Sequence, residues 1–503
     1  MERNITHLVL AAGLVLGICA DALFGGRAPG ISVPLFVAGG LALLAALARH
    51  AGITPARGDR WLALLALLFA TLTAMIAEPT LRMLNMLTSL GLLTLLVAGF
   101  GRGAVARWLP LEWLGQSITV AATALMQPFV LAAASAAALV PRGPGLRALA
   151  PVAVGLLIAA PIVGTFTLLL AMADGAFATL LGRVLTLDLP GGLLQHGMTI
   201  LAASWLCAGG LGVAIANGNT ARGIASGRVT ERLRGSHVAP LDWTTGVTVI
   251  VCVDLLFLLF SLVQIQYLFG GQAALDASGM TYADYARRGF FELTLVALLV
   301  LLLLRTLAHF TRREGGRAQG AFLLAAGLLA LLTLGLVASA YLRMQLYQAA
   351  YGFTQLRIFT QWFMAWIAVA LVLCMLAIQR GRARIFGHGS AVVGMVLLAV
   401  LSLSNPEATI VREIARRGVV TEDYLTIELL ESLSSDAYGA IRAASVGCAG
   451  RGDVLRTADD CPYDEPTRAF FAELLIRQQE QIAAADAGGW PSWHLSRALA
   501  GWR

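Results

Sequence analysis

The stretch that decides the fold is residues 320–341, which read GAFLLAAGLLALLTLGLVASAY. A helix needs about 20 apolar residues to cross a hydrocarbon core of about 30 Å, and this uncharged stretch is long enough. Lipid offers no hydrogen bonds to a peptide backbone, so a spanning segment of this kind must be helical. The sequence predicts an all-α fold, a polytopic helical membrane bundle.

Twelve stretches of this kind are predicted spans. Their approximate bounds are 5–24, 31–48, 61–77, 81–100, 117–140, 149–172, 196–216, 244–268, 289–308, 320–341, 358–379 and 388–404. The segment 117–140 is broken by Gln127-Pro128 and is either a re-entrant or interfacial segment or an ordinary span. We therefore expect 11 or 12 spans, about one per candidate stretch.

Composition supports this class. Of the 503 residues, 58% are hydrophobic and 13% are charged, and the mean hydropathy is +0.77. A soluble domain is about 45–50% apolar and about 25% charged, so a soluble globular enzyme and a disordered protein are both excluded. All 36 basic residues are arginine, and most lie beside apolar runs, where membrane orientation explains them better than nucleic acid. The expected partner is the lipid bilayer, and no nucleic-acid partner is expected.

The arginines also predict the orientation. In the second half of the chain, eleven arginines lie at the end of the seventh, ninth and eleventh spans or in the loops that follow them, against four in the alternating loops. Arginine-rich loops are cytoplasmic, which places the C-terminal segment outside the cytoplasm. We expect a multi-pass membrane protein. The first half follows the same rule only if the span count changes parity near the 117–140 segment.

The chain changes character after residue 404. Residues 1–404 carry a net charge of +12, whereas residues 405–503 carry −5 and contain no long apolar run. Helices are predicted for residues 406–417, for 422–433 behind Thr421 as N-cap, and from Asp464 to about Asp486. We therefore predict a transmembrane domain over residues 1–404 and a small, mostly helical, extramembrane domain over residues 405–503.

Two cysteines in the C-terminal domain are candidates for a disulfide. Cys448 and Cys461 lie in a polar loop of the segment that is predicted to be extracytoplasmic, where disulfides persist. A zinc pair is disfavoured because His494 is the only histidine of this domain. No P-loop, nucleophile elbow or metalloprotease motif occurs, so neither a metal nor a cofactor is expected.

Polar side chains at membrane depth are the candidates for function. Asp254 lies about ten residues into an apolar run, where a charge costs several kcal/mol unless it is paired, solvated or protonated. Gln264 and Gln266 follow in the same span. Asp254 is either a proton or cation site or a structural, hydrogen-bonded acid.

A second candidate site lies at the predicted outer face. Arg343, Tyr347 and Tyr351 recur every four residues and would share one face of a helix that ends at Gly352. This segment, residues 341–357, is either an aromatic belt at the interface or a cap over the spans. In the cap, Asp276, Asp284 or Glu292 would pair with Arg343 or Arg357.

These segments also carry a resemblance. The sequence 267–271 YLFGG, the sequence 282–293 YADYARRGFFEL and the 343–357 region resemble one bacterial family of polytopic membrane proteins. Matching pieces are Ala171–Asp174 with Phe177, Asn405-Pro406, Asp423–Leu425 and Ser434–Ala437. It is the domain of unknown function numbered forty-one seventy-three, related to forty-one fifty-three. The resemblance covers about residues 60–445 and implies a bacterial inner-membrane protein without an assigned activity.

Three functions stay open from the sequence. The first is a non-catalytic sensor or accessory protein whose C-terminal domain meets a protein partner. The second is a proton- or cation-coupled transporter that uses Asp254. The third is a membrane enzyme that acts on lipid or cell-envelope substrates, so the sequence leaves open whether the chain is an enzyme.

Overall fold

The computed structural model describes residues 2–103, scattered positions between 105 and 128, residues 193–225, 247–258, 290–310, 316–417, 424–446 and 465–486, and a few positions near residue 494. Most of these residues are helical, the others lie in turns or irregular segments, and none of them forms a strand. Eight of the described helices are long and apolar enough to cross a membrane, and two shorter apolar helices accompany them. The all-α polytopic fold is confirmed. The total of 11 or 12 spans stays a prediction, because residues 129–192 lie outside the described residues.

The described chain forms two compact units. The first comprises Met1–Met75, Arg82–Glu231 and Ala485–Leu495. Its helices are α1 (Glu2–Phe24), α2 (Ser32–Ala51), α3 (Arg57–Met75), most of α4 (Pro79–Gly99) and α5 (Leu193–Ala225).

Small residues let α1 and α5 approach closely in the first unit. A methyl group placed on Gly13 would lie 2.5 Å from the Ala208 Cβ, and one placed on Gly17 would lie 2.5 Å from the Ile200 carbonyl oxygen. Close backbone approach of this kind is how membrane helices associate where no hydrophobic driving force exists. A hydrogen bond between His196 Nδ1 and Asp21 Oδ1, at 2.9 Å, also joins the two helices.

The second unit comprises Ile76–Leu81, Arg232–Ala484 and Ser496–Arg503. Its apolar helices are α6 (Val247–Leu258), α7 (Phe290–Phe310), α8 (Gly316–Tyr351), α9 (Gln355–Gln379) and α10 (Ala383–Leu403). Helices α6 to α9 share one core of buried side chains, and α10 packs against α9.

The C-terminal helices of the second unit are α11 (Pro406–Arg417), α12 (Tyr424–Glu431), a 3-10 turn (Ser435–Ala437), α13 (Tyr438–Val446) and α14 (Glu465–Asp486). The predicted helix over residues 406–417 is confirmed, and α14 matches the predicted helix that ends at about Asp486. Helix α12 lies within the predicted 422–433, whose first two residues and N-cap Thr421 lie outside the described residues. Helix α11 packs on α13 and buries Ile410, Val411 and Ile414 on one side. The division into separate domains at residue 404 stays a prediction.

Candidate functional site

A polar junction follows the last membrane helix of the second unit. Asn405 comes two residues after the end of α10 and has a positive φ of 48°, a conformation that asparagine tolerates better than other side chains. Its Oδ1 accepts a hydrogen bond from the Ala408 amide at 3.0 Å and so caps α11. Its Nδ2 donates to the Asp436 carbonyl at 2.9 Å. Asn405 therefore turns the chain, starts α11 and holds the 3-10 turn.

Glu407 lies in the first turn of α11 and is completely buried. Its Oε1 accepts a hydrogen bond from Gln355 Nε2 at 2.7 Å, and Gln355 is the first residue of membrane helix α9. Its carboxylate also accepts from the Ser434 amide, at 3.0 and 3.1 Å, and from the Ser434 hydroxyl at 2.6 Å. One side chain of α11 thus binds the start of a membrane helix and the segment before the 3-10 turn.

Asp436 extends this junction to residues 76–81. Its Oδ2 accepts hydrogen bonds from the amides of Ala77 and Glu78, each at 2.9 Å. Glu78 in turn accepts from the Leu81 amide at 2.5 Å and so caps α4, with Pro79 in the first helical position. We call Glu78, Glu407 and Asp436 the carboxylate cluster. Glu78 is 2% exposed, so two of the three acids are almost fully removed from water.

The electrostatics of the cluster centre on Glu407. Burial raises the pKa of Glu407 to about 7, the hydrogen bonds from Ser434 oppose this rise, and the nearby charges of Asp436 and Glu78 add to it. Burial removes the water that stabilises a carboxylate, and like charges disfavour a second ionisation. Glu407 therefore titrates near neutral pH, unlike an ordinary surface glutamate.

Residues of the 341–357 segment lie in the same unit. Helix α8 ends at Tyr351, and Gly352 has a φ of +77°, as predicted for the residue that ends this helix. The Arg357 guanidinium lies 4.3 Å from the centre of the Tyr347 ring and donates to the Gly352 carbonyl at 2.6 Å. Arg343 is 6% exposed. Arg357, which lies in α9 two residues after Gln355, thus joins the end of α8 to the start of α9.

Several predicted site residues cannot be located. Gln264, Gln266, Asp284, Cys448 and Cys461 lie outside the described residues. Glu292 and Tyr351 lie in helices, but the positions of their side chains are not described. The predicted disulfide and the predicted pairing of Arg343 or Arg357 with an acid therefore stay predictions.

Asp254 lies in α6 and is 4% exposed, so it faces protein. Both of its carboxylate oxygens are buried and have no hydrogen-bond partner among the described residues. The described residues contain no group of three or more histidine, cysteine or acidic side chains arranged to hold a metal ion.

Sequence reasoning missed the central residues of the junction. Neither Glu407 nor Glu78 is among the candidate site residues predicted from the sequence. A usable signal existed, because both Glu78-Pro79 and Asn405-Pro406 place a polar cap directly before a proline, a pattern that starts helices. Nothing in the sequence showed that these two starts share Asp436.

A helical chain with eight membrane-spanning candidates and a buried polar junction at the end of one of them is a polytopic membrane protein. Residues 62–444, which include the carboxylate cluster and Asp254, match the family DUF4153, a domain of unknown function. The match covers well over half of the chain, and the chain belongs to this family. The expected relation to family forty-one fifty-three is thereby confirmed. No curated protein and no solved structure matches the chain.

Proposed function

We propose that this chain is a non-catalytic sensor or accessory protein of the bacterial inner membrane whose C-terminal helices, outside the cytoplasm, meet a protein partner. The resemblance to family forty-one seventy-three supports the bacterial inner membrane, and the arginine asymmetry supports the orientation. The observation that carries the proposal is the position of Glu407. Its hydrogen bonds to Gln355 and Ser434 connect membrane helix α9 directly to the C-terminal helices.

A sensor needs a path from the membrane part to the part that meets the partner. Gln355 is the first residue of α9, so a displacement of this helix acts on Glu407 through one hydrogen bond of 2.7 Å. Glu407 lies in α11, which packs on α13 and on the 3-10 turn. The junction therefore transmits a movement of a membrane helix to the extramembrane helices without an intervening flexible linker.

A groove between α11 and α13 is a suitable place for the partner. It has a volume of about 300 Å³, and its lining combines alanines with charged side chains. It is lined by Thr409, Arg412, Glu413, Ala415, Arg416, Ala440, Ala443 and Ala444. The small alanines leave space for a partner side chain, and two arginines one helical turn apart favour an acidic one.

The experiment tests the connection and the contact together. A photo-reactive residue replaces Arg416 in the otherwise native protein and in the Gln355→Ala variant. Both proteins are then cross-linked by light in intact cells. We expect a defined cross-linked protein whose yield changes in Gln355→Ala, because the link between α9 and Glu407 is cut. The matched control is Gln345→Ala. Gln345 is an exposed glutamine of α8, and its side chain donates a hydrogen bond to the Tyr341 hydroxyl within the same helix. An equal yield in all three proteins would contradict the sensor proposal.

Transport is a second candidate because of one observation, the buried carboxylate of Asp254, which has no hydrogen-bond partner among the described residues. Intramembrane acids of this kind mark proton and ion pathways in many membrane proteins. Proton uptake into proteoliposomes, followed with a pH-sensitive dye, tests it. Loss of uptake in Asp254→Asn would support transport, whereas the absence of uptake by the native protein under an imposed gradient would remove it. A membrane enzyme stays the third alternative.

A further inference from the structure

We propose that Asp254 is an intramembrane proton-binding site that holds a proton, and not a metal cation, in the resting protein. The transport candidate rests on the same side chain, and the proposed ligand of that side chain is a proton. Asp254 binds this proton whether or not it is carried across the membrane.

The direction of the Asp254 side chain follows from the exposure of its helix. Ile250, Asp254 and Phe257 are spaced as neighbours on one helical face, and they are 0%, 4% and 8% exposed. On the opposite side of α6, Leu255 and Leu256 are each 62% exposed, as expected for residues that face lipid. Asp254 therefore points into the core of the second unit.

The surroundings of this face are apolar. Ile250 and Phe257 belong to the same buried cluster as Ala297, Val300 and Leu304 of α7. A carboxylate that is placed in such a cluster without hydrogen bonds costs several kcal/mol, far more than a neutral carboxylic acid. Neither Asp254 oxygen has a hydrogen-bond partner among the described residues. The neutral, proton-bearing form is the one that this environment accepts.

Among the described residues, no charged or titratable side chain of the neighbouring helices pairs with the Asp254 carboxyl group. In α7, the Arg305 guanidinium lies over the Phe386 ring, 5.4 Å from its centre. Arg343 of α8 and Cys374 of α9 are buried in the same unit. None of the three forms an ion pair or a hydrogen bond with Asp254 in the described part of the chain. The side-chain position of Glu292, also in α7, is not described.

A proton fits this site better than a metal cation. Cations such as Mg²⁺ and Ca²⁺ require about six or more oxygen ligands. Asp254 supplies two oxygens, and the described residues hold no group of three acidic, histidine or cysteine side chains that could complete such a shell. A proton needs one carboxylate oxygen and no further ligand.

The test is labelling with dicyclohexylcarbodiimide, an apolar reagent that adds the O–H of a carboxylic acid across its C=N bond and does not react with the carboxylate. The full-length protein in lipid nanodiscs is treated over a range of pH, and the peptide that contains residues 247–258 is analysed by mass spectrometry. We expect labelling of Asp254 near neutral pH that declines at high pH. Asp254→Asn should lose the label. Asp21, which pairs with His196 in another membrane helix, is the internal control and should stay unlabelled.

The outcomes separate the site from transport. A detected but unlabelled 247–258 peptide at every pH overturns the proton site. Protection by added Na⁺ or Mg²⁺ at constant pH overturns the proton in favour of a cation. The pH dependence of the labelling is measured on the native protein, so the test stays valid even if the Asp254→Asn variant misfolds. Labelling without proton uptake in proteoliposomes would remove transport and leave the proton site in place.

Discussion

The Ser434 hydroxyl oxygen lies 2.6 Å from Oε2 of the buried Glu407 carboxyl. A hydroxyl can donate to a carboxylate or accept from a carboxylic acid, so this contact persists in both protonation states. The same oxygen accepts a hydrogen bond from the Asp436 amide at 3.2 Å. The protonation state of Glu407 therefore changes the charge of the junction without breaking its central contact.

Glu407 makes the junction less stable as pH rises. The folded state holds its pKa at about 7, above the ordinary 4.5, so the folded state binds the proton more tightly than the unfolded chain does. The stabilisation is complete below about pH 4.5 and is lost as pH rises through about 7, a change of about 3–4 kcal/mol at about 1.4 kcal/mol per pKa unit. Hydrogen exchange of residues 406–417 and 434–446 should therefore accelerate from pH 6 to pH 8, after correction for the intrinsic rate.

The Glu407→Gln variant should lose this pH dependence, because glutamine has the shape of the protonated acid and does not titrate. Its amide oxygen can accept from Gln355 and its NH₂ can donate to Ser434 Oγ. Glu413→Gln is the control, since Glu413 lies in the same helix and its side chain is 28% exposed. A pH dependence that survives in Glu407→Gln would assign the titration to another group.

Ser434→Ala should destabilise the junction more at pH 8 than at pH 6. It removes the hydroxyl that stabilises the ionised Glu407, and loss of a hydrogen bond to a buried charged group costs about 1.5–3 kcal/mol. Ser432→Ala serves as control, because Ser432 is exposed and its hydroxyl donates only to the Leu429 carbonyl among its described side-chain contacts. Thermal unfolding at the two pH values measures the difference, and equal losses at both would argue against a charged partner.

Three substitutions of Asn405 should lower the stability of the protein to different degrees. Asn405→Asp keeps the cap on α11 but loses the donor to the Asp436 carbonyl, whereas Asn405→Gly keeps the positive φ and loses both side-chain bonds. Asn405→Ala loses the bonds and meets the steric cost of φ > 0, so we expect it to be the worst, by about 1 kcal/mol relative to glycine. Unfolding midpoints of the three variants in one detergent test the order. Alanine and glycine variants of equal stability would show that the backbone conformation carries no cost.

The orientation is tested by a reporter. The excess of eleven arginines over four in the alternating loops predicts that the C-terminal segment lies outside the cytoplasm. A fluorescent protein that matures only in the cytoplasm should stay dark when fused after Arg503. The same reporter fused in the arginine-rich 309–319 loop is the bright control. A bright fusion after Arg503 would reverse the topology of the second half.

The sequence by itself determined the class of the protein and most of its helices. A helix that crosses the lipid must consist of a long run of apolar residues, and such a run is visible in the sequence of the segment alone. Residues 5–24 and 320–341 can therefore be recognised as spans without knowledge of what they pack against. Helix ends such as Gly352 and the start at Pro406 were readable for the same reason, because a positive φ and a missing N–H are properties of single residues.

Only the tertiary structure decided which polar residues meet. The carboxylate cluster joins residue 78 to residues 407 and 436, and its hydrogen bonds bridge up to 359 positions along the chain. The pKa of about 7 at Glu407 arises from burial and from the charges of Asp436 and Glu78, and none of these is a property of the local sequence. For Asp254, the sequence and the tertiary structure each determined a part. Its position in an apolar run was visible in the sequence. Its inward direction and its lack of a hydrogen-bond partner among the described residues depend on how α6 packs in the second unit.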